Sequence, residues 1–520
     1  TSLDVSLDFL ATEGDTGSDD DNATSPNLTV LEWNAVVLYP AHVPVAQIPI
    51  ITTLTLPADW KFGSALTTTA QKGQEISFAQ VSVEQLIDSP LIAGRYFREY
   101  PLAPEVTPKH YLDVAADAPG EVELTPAYLT AVNQLVRQAG ALYQSRHYES
   151  YHFLLSLSDE IREEGLEHHQ SSDNGIEKNG VSDAKLAMLN ADLLPHEFTH
   201  SWNGKYRRPE GLATPDYAAP MKGDLLWVYE GMTQYWGNVL AARAGFWTPE
   251  GYRDALAFSA ARLDMRPGRT WRNLEDTAIA SQILRGNHAA WANWRRSQDY
   301  YEEGELIWLD ADTTIRRLTH GQKSLNDFCV KFLAVGGNTP PKVLPYDFDE
   351  IVADLNAVAA YDWRAFLTER LNSHGEHAPL EGIEHGGYRL TYGPEPGAYE
   401  SAYLSNMKQT DAWFSAGLMV GDSGAIVDVR MDSAAFKAGL GPGQKIVAVN
   451  GHGYTGDDFR QAIRDAKGTA GPIELIVSNH NEFRIVRVDY HDGERYPRLE
   501  REQGTPALLD DIIKPMAADK

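Results

Sequence analysis

The sequence predicts a multidomain α+β protein, and three observations carry that prediction. The chain has 520 residues, too many for one hydrophobic core, so about three or four domains are expected. Residues 1–118 run in short period-two stretches such as LTVLEWNAVVLYP and ISFAQVSVEQLI, broken by Pro, Gly and Asp. That texture predicts an antiparallel, β-sandwich-like N-terminal domain. From 119 to 384 the apolar spacing turns helical, and after Gly386 strands and turns return over 385–498, leaving a tail at 499–520.

Within this frame each element has its own signal. The acidic insert from Asp15 reads as a solvated loop, with a calcium loop as the alternative, since its spacing is not that of an EF-hand. LTPAYLTAVNQLVRQAGALYQ carries apolar residues three and four apart, as an amphipathic helix does. Phe153 to Leu157 reads as a strand at the edge of the helical region. Pro195 lacks an amide donor, so a helix is expected to start or kink there. A second helix is expected from an Asp224 cap, through the stripe Leu225, Val228, Met232, Tyr235 and Val239, to Gly245. His374, His377 and His385 read as solvated linker.

Composition excludes several classes. A net charge of −28 disfavours nucleic acid and anionic membrane surfaces as partners. No apolar run approaches the roughly 18 residues a membrane span needs. With Cys329 alone there is no intrachain disulfide and no cysteine metal site. The chain opens at Thr1, which fits a mature protein whose leader was removed, although a shortened chain would look the same. The expected compartment is periplasmic or extracellular, with the cytoplasm as the alternative.

The chemistry gathers at His196-Glu197-Phe198-Thr199-His200. Histidines four apart share one helix face and can hold one metal ion. Glu197 is not needed as a ligand, and it sits where it could take a proton from metal-activated water. Glu230, in WVYEGMTQYWG, lies thirty residues after His200. Two histidines and a carboxylate form the ligand set of hydrolytic zinc, with a fourth position open. The sequence therefore predicts a zinc hydrolase with one ion per chain.

HEFTHSWNGKYRRP, WVYEGMTQYWG and GLEHHQSS, followed by AGLGPGQKIVAVNG and TGDDFRQAIRDA, stand in an order that resembles the glycyl aminopeptidase family of zinc peptidases. That family belongs to the thermolysin-like gluzincin clan. The resemblance implies a thermolysin-like, mainly helical catalytic domain and a C-terminal PDZ domain. It implies His196, His200 and Glu230 as zinc ligands and Glu197 as general base. Tyr301, in YYEEG, would donate to the oxyanion, with Tyr300 as the alternative and Glu303 departing from the lysine common in relatives. GLEHHQSS would place Gly165 and Glu167 at the substrate, with Glu167 holding a free α-ammonium and an edge strand just upstream pairing with substrate backbone. Glu164 replaces the family's first glycine there, either adding a carboxylate near the amine or pointing to solvent. His168 and His169 are expected to be structural. Asn203, Lys205, Arg207 and Arg208 are expected to support the site rather than act in it. Ala416 to Met419 would form a carboxylate-binding loop for a C-terminal peptide, or the domain would pack on the catalytic one.

The resemblance implies an aminopeptidase acting on peptides with a free N-terminus and a small first residue, glycine or alanine. A zinc endopeptidase of the same clan is the first rival, and an inactive PDZ adaptor on a peptidase scaffold is the second.

Overall fold

The computed structural model describes residues 3–9, 23–285 and 290–518, so residues 15–22 of the acidic insert lie outside them. The N-terminal region is built from small antiparallel sheets. Leu91–Gly94 pairs with Leu28–Leu31 on one side and Lys61–Ser64 on the other, and Glu75–Phe78 lies between Thr53–Thr55 and Thr68–Lys72. Trp33, Leu56, Leu66, Ile76, Phe78 and Leu86 fill their shared core. A short helix, Val83–Ile87, is capped by the Ser82 side chain, which accepts from Gln85 N.

Two strands lying before residue 118 join the next region instead. Tyr96–Leu102 and Lys109–Ala116 are part of a five-stranded sheet ordered Glu164–Glu167, Ser171–Ile176, Ser150–Leu157, Lys109–Ala116, Tyr96–Leu102. The three inner strands run parallel. Parallel neighbours need a long crossover, and the helix Pro126–Tyr143, capped by Thr125, occupies one. The edge expected around Phe153 is therefore central: Ser150–Leu157 is buried on both faces, which its apolar run HFLLSL reflects. The edge itself is Glu164–Glu167, antiparallel to its single neighbour.

Helices cover the rest. The metal helix spans Leu193–His200, with Pro195 in its first turn, where a missing amide costs little. The expected second helix divides at Glu230, into Leu226–Tyr229 and Gly231–Ala244, and Gly245 ends it in the left-handed region at φ 89°. Asp224 does not cap it, since Leu225 holds the N-cap position and no side chain caps there. The helix Glu302–Leu318 crosses this one where Gly231 meets Gly304, and a Cβ on Gly304 would fall 2.6 Å from Gly231 Cα. No helix among the described residues is long and apolar enough to cross a membrane.

The tail beyond 499 is structural. Tyr496–Arg501 pairs with Tyr388–Gly393, and the helix Leu508–Ile512 enters the main core, where Arg243 donates to Ile512 O. His385 belongs to the helix Glu381–His385 and lies 3.1 Å from Asp310, rather than in a solvated linker. His377, 78% exposed, reaches Asp264 at 3.1 Å.

Between those paired strands sits a module with its own core, in which Leu418, Val420, Ile446, Phe459, Leu475 and Val477 are central. Leu418–Gly421 lies between Gln409–Ala412 and Ile426–Val429, both antiparallel to it. The chain itself thus occupies the strand edge that peptide capture beside Ala416–Met419 would need. Trp413 and Phe414 pack on Phe258 of the helical region, and Arg262 pairs with Asp411.

Candidate metal centre and active site

His196, His200 and Glu230 converge. His200 Nε2 lies 3.1 Å from His196 Nε2 and 3.2 Å from Glu230 Oε2, and the third separation is 3.5 Å. All three are buried, and Glu230 Oε2 has no hydrogen-bond partner among the described residues. The donor set fits one divalent ion, because His200 Nδ1 donates to Asn203 O at 2.9 Å, which leaves Nε2 an acceptor facing the others. Neighbouring carboxylates make the spot attractive to cations. Burial opposes charge on His200, but Glu230 and Glu167 outweigh it and push the imidazole up to about 9, so a bound cation would take the place of the Nε2 proton.

Asn203 belongs to the stretch expected to support the site, and its contacts are specific. Its side-chain amide donates to Val228 O at 2.8 Å, Tyr229 O at 3.2 Å and Thr233 Oγ1 at 3.0 Å. One residue thereby joins the loop after the metal helix to the segment carrying Glu230. Lys205 pairs with Asp88 at 2.8 Å, and Asp88 also faces His168 and His169 at 3.5 and 3.6 Å. Those histidines are held away from the metal set. Arg207 is buried against Glu350 and Phe332 O, and Arg208 donates to Gly204 O.

Glu197 sits beneath the edge strand. A Cβ on Gly165 would lie 2.3 Å from Glu197 Oε1, so Gly165 makes the space the carboxylate occupies. Burial, reinforced by Glu167 and Glu230 against the two histidines, pushes Glu197 up to about 7. A carboxylate at that value is poised to take and return a proton near neutral pH.

Glu167 follows on the same strand face. Tyr229 donates to Glu167 Oε1, and the ligand-bearing atoms of Glu167, Glu197 and His200 lie within 4.8 Å of one another. Burial opposes its charge, yet His200 and Lys205 hold its carboxyl below the usual range. Glu164 points from the opposite face and meets Arg162 at 2.5 Å, so it adds no second carboxylate near the amine.

Tyr301 stands at the start of the helix Glu302–Leu318. Its ring stacks on His196 at 5.9 Å and 23°, and it lines a cavity of about 380 Å³ with His196, Glu197, Asp192 and Leu193. Tyr300, 2% exposed, is packed in the core instead. Burial and the Glu230 charge keep the Tyr301 hydroxyl protonated, raising it well above the usual phenol value. Glu303 is buried between Arg269 and Arg296 at 3.1 and 2.5 Å. Arg285 carried no motif signal. Tyr301 first, then Tyr300, Glu230 and Glu167, raise its guanidinium, which places it among the site's charges.

A second cavity, of about 410 Å³, is lined by Glu167 with Asp88, Lys205, Arg208, Tyr217 and Tyr229. Glu167 thus borders one cavity, and His196, Glu197 and Tyr301 border the other.

Residues 190–307 match the family model of the M61 glycyl aminopeptidases, and residues 1–95 match that of the peptidase M61 N-terminal domain. Among solved structures, an aminopeptidase N family protein from Idiomarina loihiensis superposes with a TM-score of 0.75 at 18% identity, covering 94% of this chain and 83% of that one. At that identity the likeness is one of fold. An M1 zinc metallopeptidase from Deinococcus radiodurans has a TM-score of 0.41 at 15% identity, over 67% of this chain and 70% of its own. No curated protein matches the chain. The family matches support a peptidase, and they fall on its N-terminal region and on the segment bearing both metal helices.

Replacing Asn203 by alanine should weaken metal binding about tenfold, because the loop holding His200 loses its tie to the Glu230 segment. Competition against a chromogenic chelator measures this directly, and unchanged affinity would show that the tie does not govern the site.

Proposed function

We propose that the chain is a zinc-dependent aminopeptidase that removes the first residue from peptides with a free N-terminus. The observation that carries this reading is Glu167, a carboxylate fixed by Tyr229 on the edge strand, beside Glu197. A buried carboxylate so close to the reacting centre neutralises one α-ammonium and leaves a single residue's length before the scissile bond.

Zinc held by His196, His200 and Glu230 would supply the Lewis acidity that activates water and the peptide carbonyl. The chain's own groups do the rest. Substrate backbone pairs along Glu164–Glu167, whose outer edge has no partner strand among the described residues. Glu197 takes the proton from the attacking water and passes it to the leaving amine nitrogen. The Tyr301 hydroxyl, kept protonated by its surroundings, donates to the oxyanion as it forms. The cavity on the Tyr301 side receives the remainder of the peptide.

A preference for glycine or alanine follows from the family likeness. A second reading of the first residue's size rests on the cavity beyond Glu167, whose volume of about 410 Å³ exceeds what a methyl group fills. There Arg208 stands where it could meet an acceptor on a longer side chain. Rates over glycyl, alanyl, leucyl and glutamyl reporter substrates separate the two: a fall with size supports the small-residue preference, and a faster glutamyl substrate supports the second reading.

Acetylating the α-amine of a short peptide should abolish its hydrolysis, and Glu167→Gln should lower kcat/KM on the free peptide by about 10²-fold or more. Full activity on the acetylated peptide would make the protein an endopeptidase. Tyr301→Phe should cost about 10²-fold in turnover with zinc content unchanged, and a near-normal rate would move the donor role elsewhere.

A further inference from the structure

A second group of charges lies behind the edge strand. Side chains alternate along Glu164–Glu167, so Gly165 and Glu167 face Glu197 and Tyr229 while Glu164 turns away. There it meets Asp173 of the neighbouring strand and Glu32 of the N-terminal region, and one carboxylate oxygen from each lies within 4.8 Å of the others. Asp173 is 1% exposed, and no donor among the described residues reaches either of its oxygens. Ser156 Oγ is also buried and without a partner among the described residues, and it lines the same narrow void with Arg162, Glu164 and Asp173. Arg162 engages Oε1 of Glu32 and Oε1 of Glu164, which leaves each glutamate its second oxygen.

Three carboxylates against one guanidinium leave two negative charges uncompensated, and burying them unpaired is costly. One divalent cation cancels both. We propose that Glu32, Glu164, Asp173 and Ser156 form a calcium site, separate from the catalytic centre, that ties the N-terminal region to the edge strand. The donors are all oxygen, which suits a hard cation rather than zinc. Calcium–oxygen distances of about 2.3–2.6 Å let ligands on opposite sides of the ion stand up to about 5 Å apart, as these oxygens do. The ion would anchor Glu164 and so fix Gly165 and Glu167 against Glu197.

The rival account is a proton. Burial and the Glu164 charge push the Asp173 carboxyl well up, and a neutral acid there would donate to Glu164. Metal analysis of the purified, zinc-loaded chain, followed by calorimetric titration with calcium chloride after dialysis, separates the two. Calcium at one per chain beyond the zinc, or one-site binding that raises Tm, is expected. Asp173→Asn and the more exposed Glu32→Gln should each weaken it about tenfold with zinc content unchanged. No calcium and no titration heat in the wild-type chain would overturn the proposal. So would equal calcium affinity in wild type and Glu32→Gln, a variant that keeps the test available if Asp173→Asn fails to fold. A wild-type chain indifferent to calcium, together with an Asp173→Asn chain of equal stability, would establish the shared proton.

Discussion

The approach of two helices at Gly237 is the constraint on which the site depends. A Cβ there would stand 3.0 Å from His196 Cα and 3.1 Å from His196 Cβ, so any side chain would force the helices apart. Their closeness brings two histidines from one helix within reach of a glutamate at the head of the other. Asn203 then locks the loop between them through three hydrogen bonds, and His200 keeps its tautomer by donating to the same residue's carbonyl. Tyr229, one residue before the third ligand, extends the arrangement outward to Glu167. The Glu230 carboxylate and the Glu167 carboxylate are thus both positioned by one short segment.

Buried charge elsewhere follows a similar logic. Glu303 could not lie inside the protein alone, because removing one partner of a buried ion pair costs about 3–5 kcal/mol. Arg269 and Arg296 flank it, and Arg296 also meets Asp299 at 2.8 Å. This network braces the start of the helix from which Tyr301 projects. Glu303 thus carries its own cations, and Tyr301 stands over His196.

The C-terminal module is joined to the catalytic region along a continuous contact. Arg262 pairs with Asp411, Asn293 donates to Asp428 at 2.7 Å, and Phe258 packs on Phe414. Its strand Leu418–Gly421 is hydrogen-bonded on both sides. That strand therefore offers no open edge among the described residues.

Much of the centre was legible because its signals are local. The four-residue spacing of His196 and His200 follows from helix geometry alone, and Gly245 marks the end of the helix after Glu230 through its positive φ. The mainly helical texture of 119–384 reflected apolar periodicity in the same way. Contacts between distant stretches had no such signal. The edge strand was misplaced because Ser150–Leu157 and Glu164–Glu167 differ in which neighbours they find, and strand order is decided by the sheet as a whole. Glu164 could be assigned a direction only once its strand had a face, and Asp88, Arg285 and Glu32 reach their clusters from other parts of the chain. The sequence by itself determined which residues could bind a metal and activate water. Tertiary structure decided which carboxylates share that space, because side-chain direction and proximity are set by packing between elements far apart in the chain.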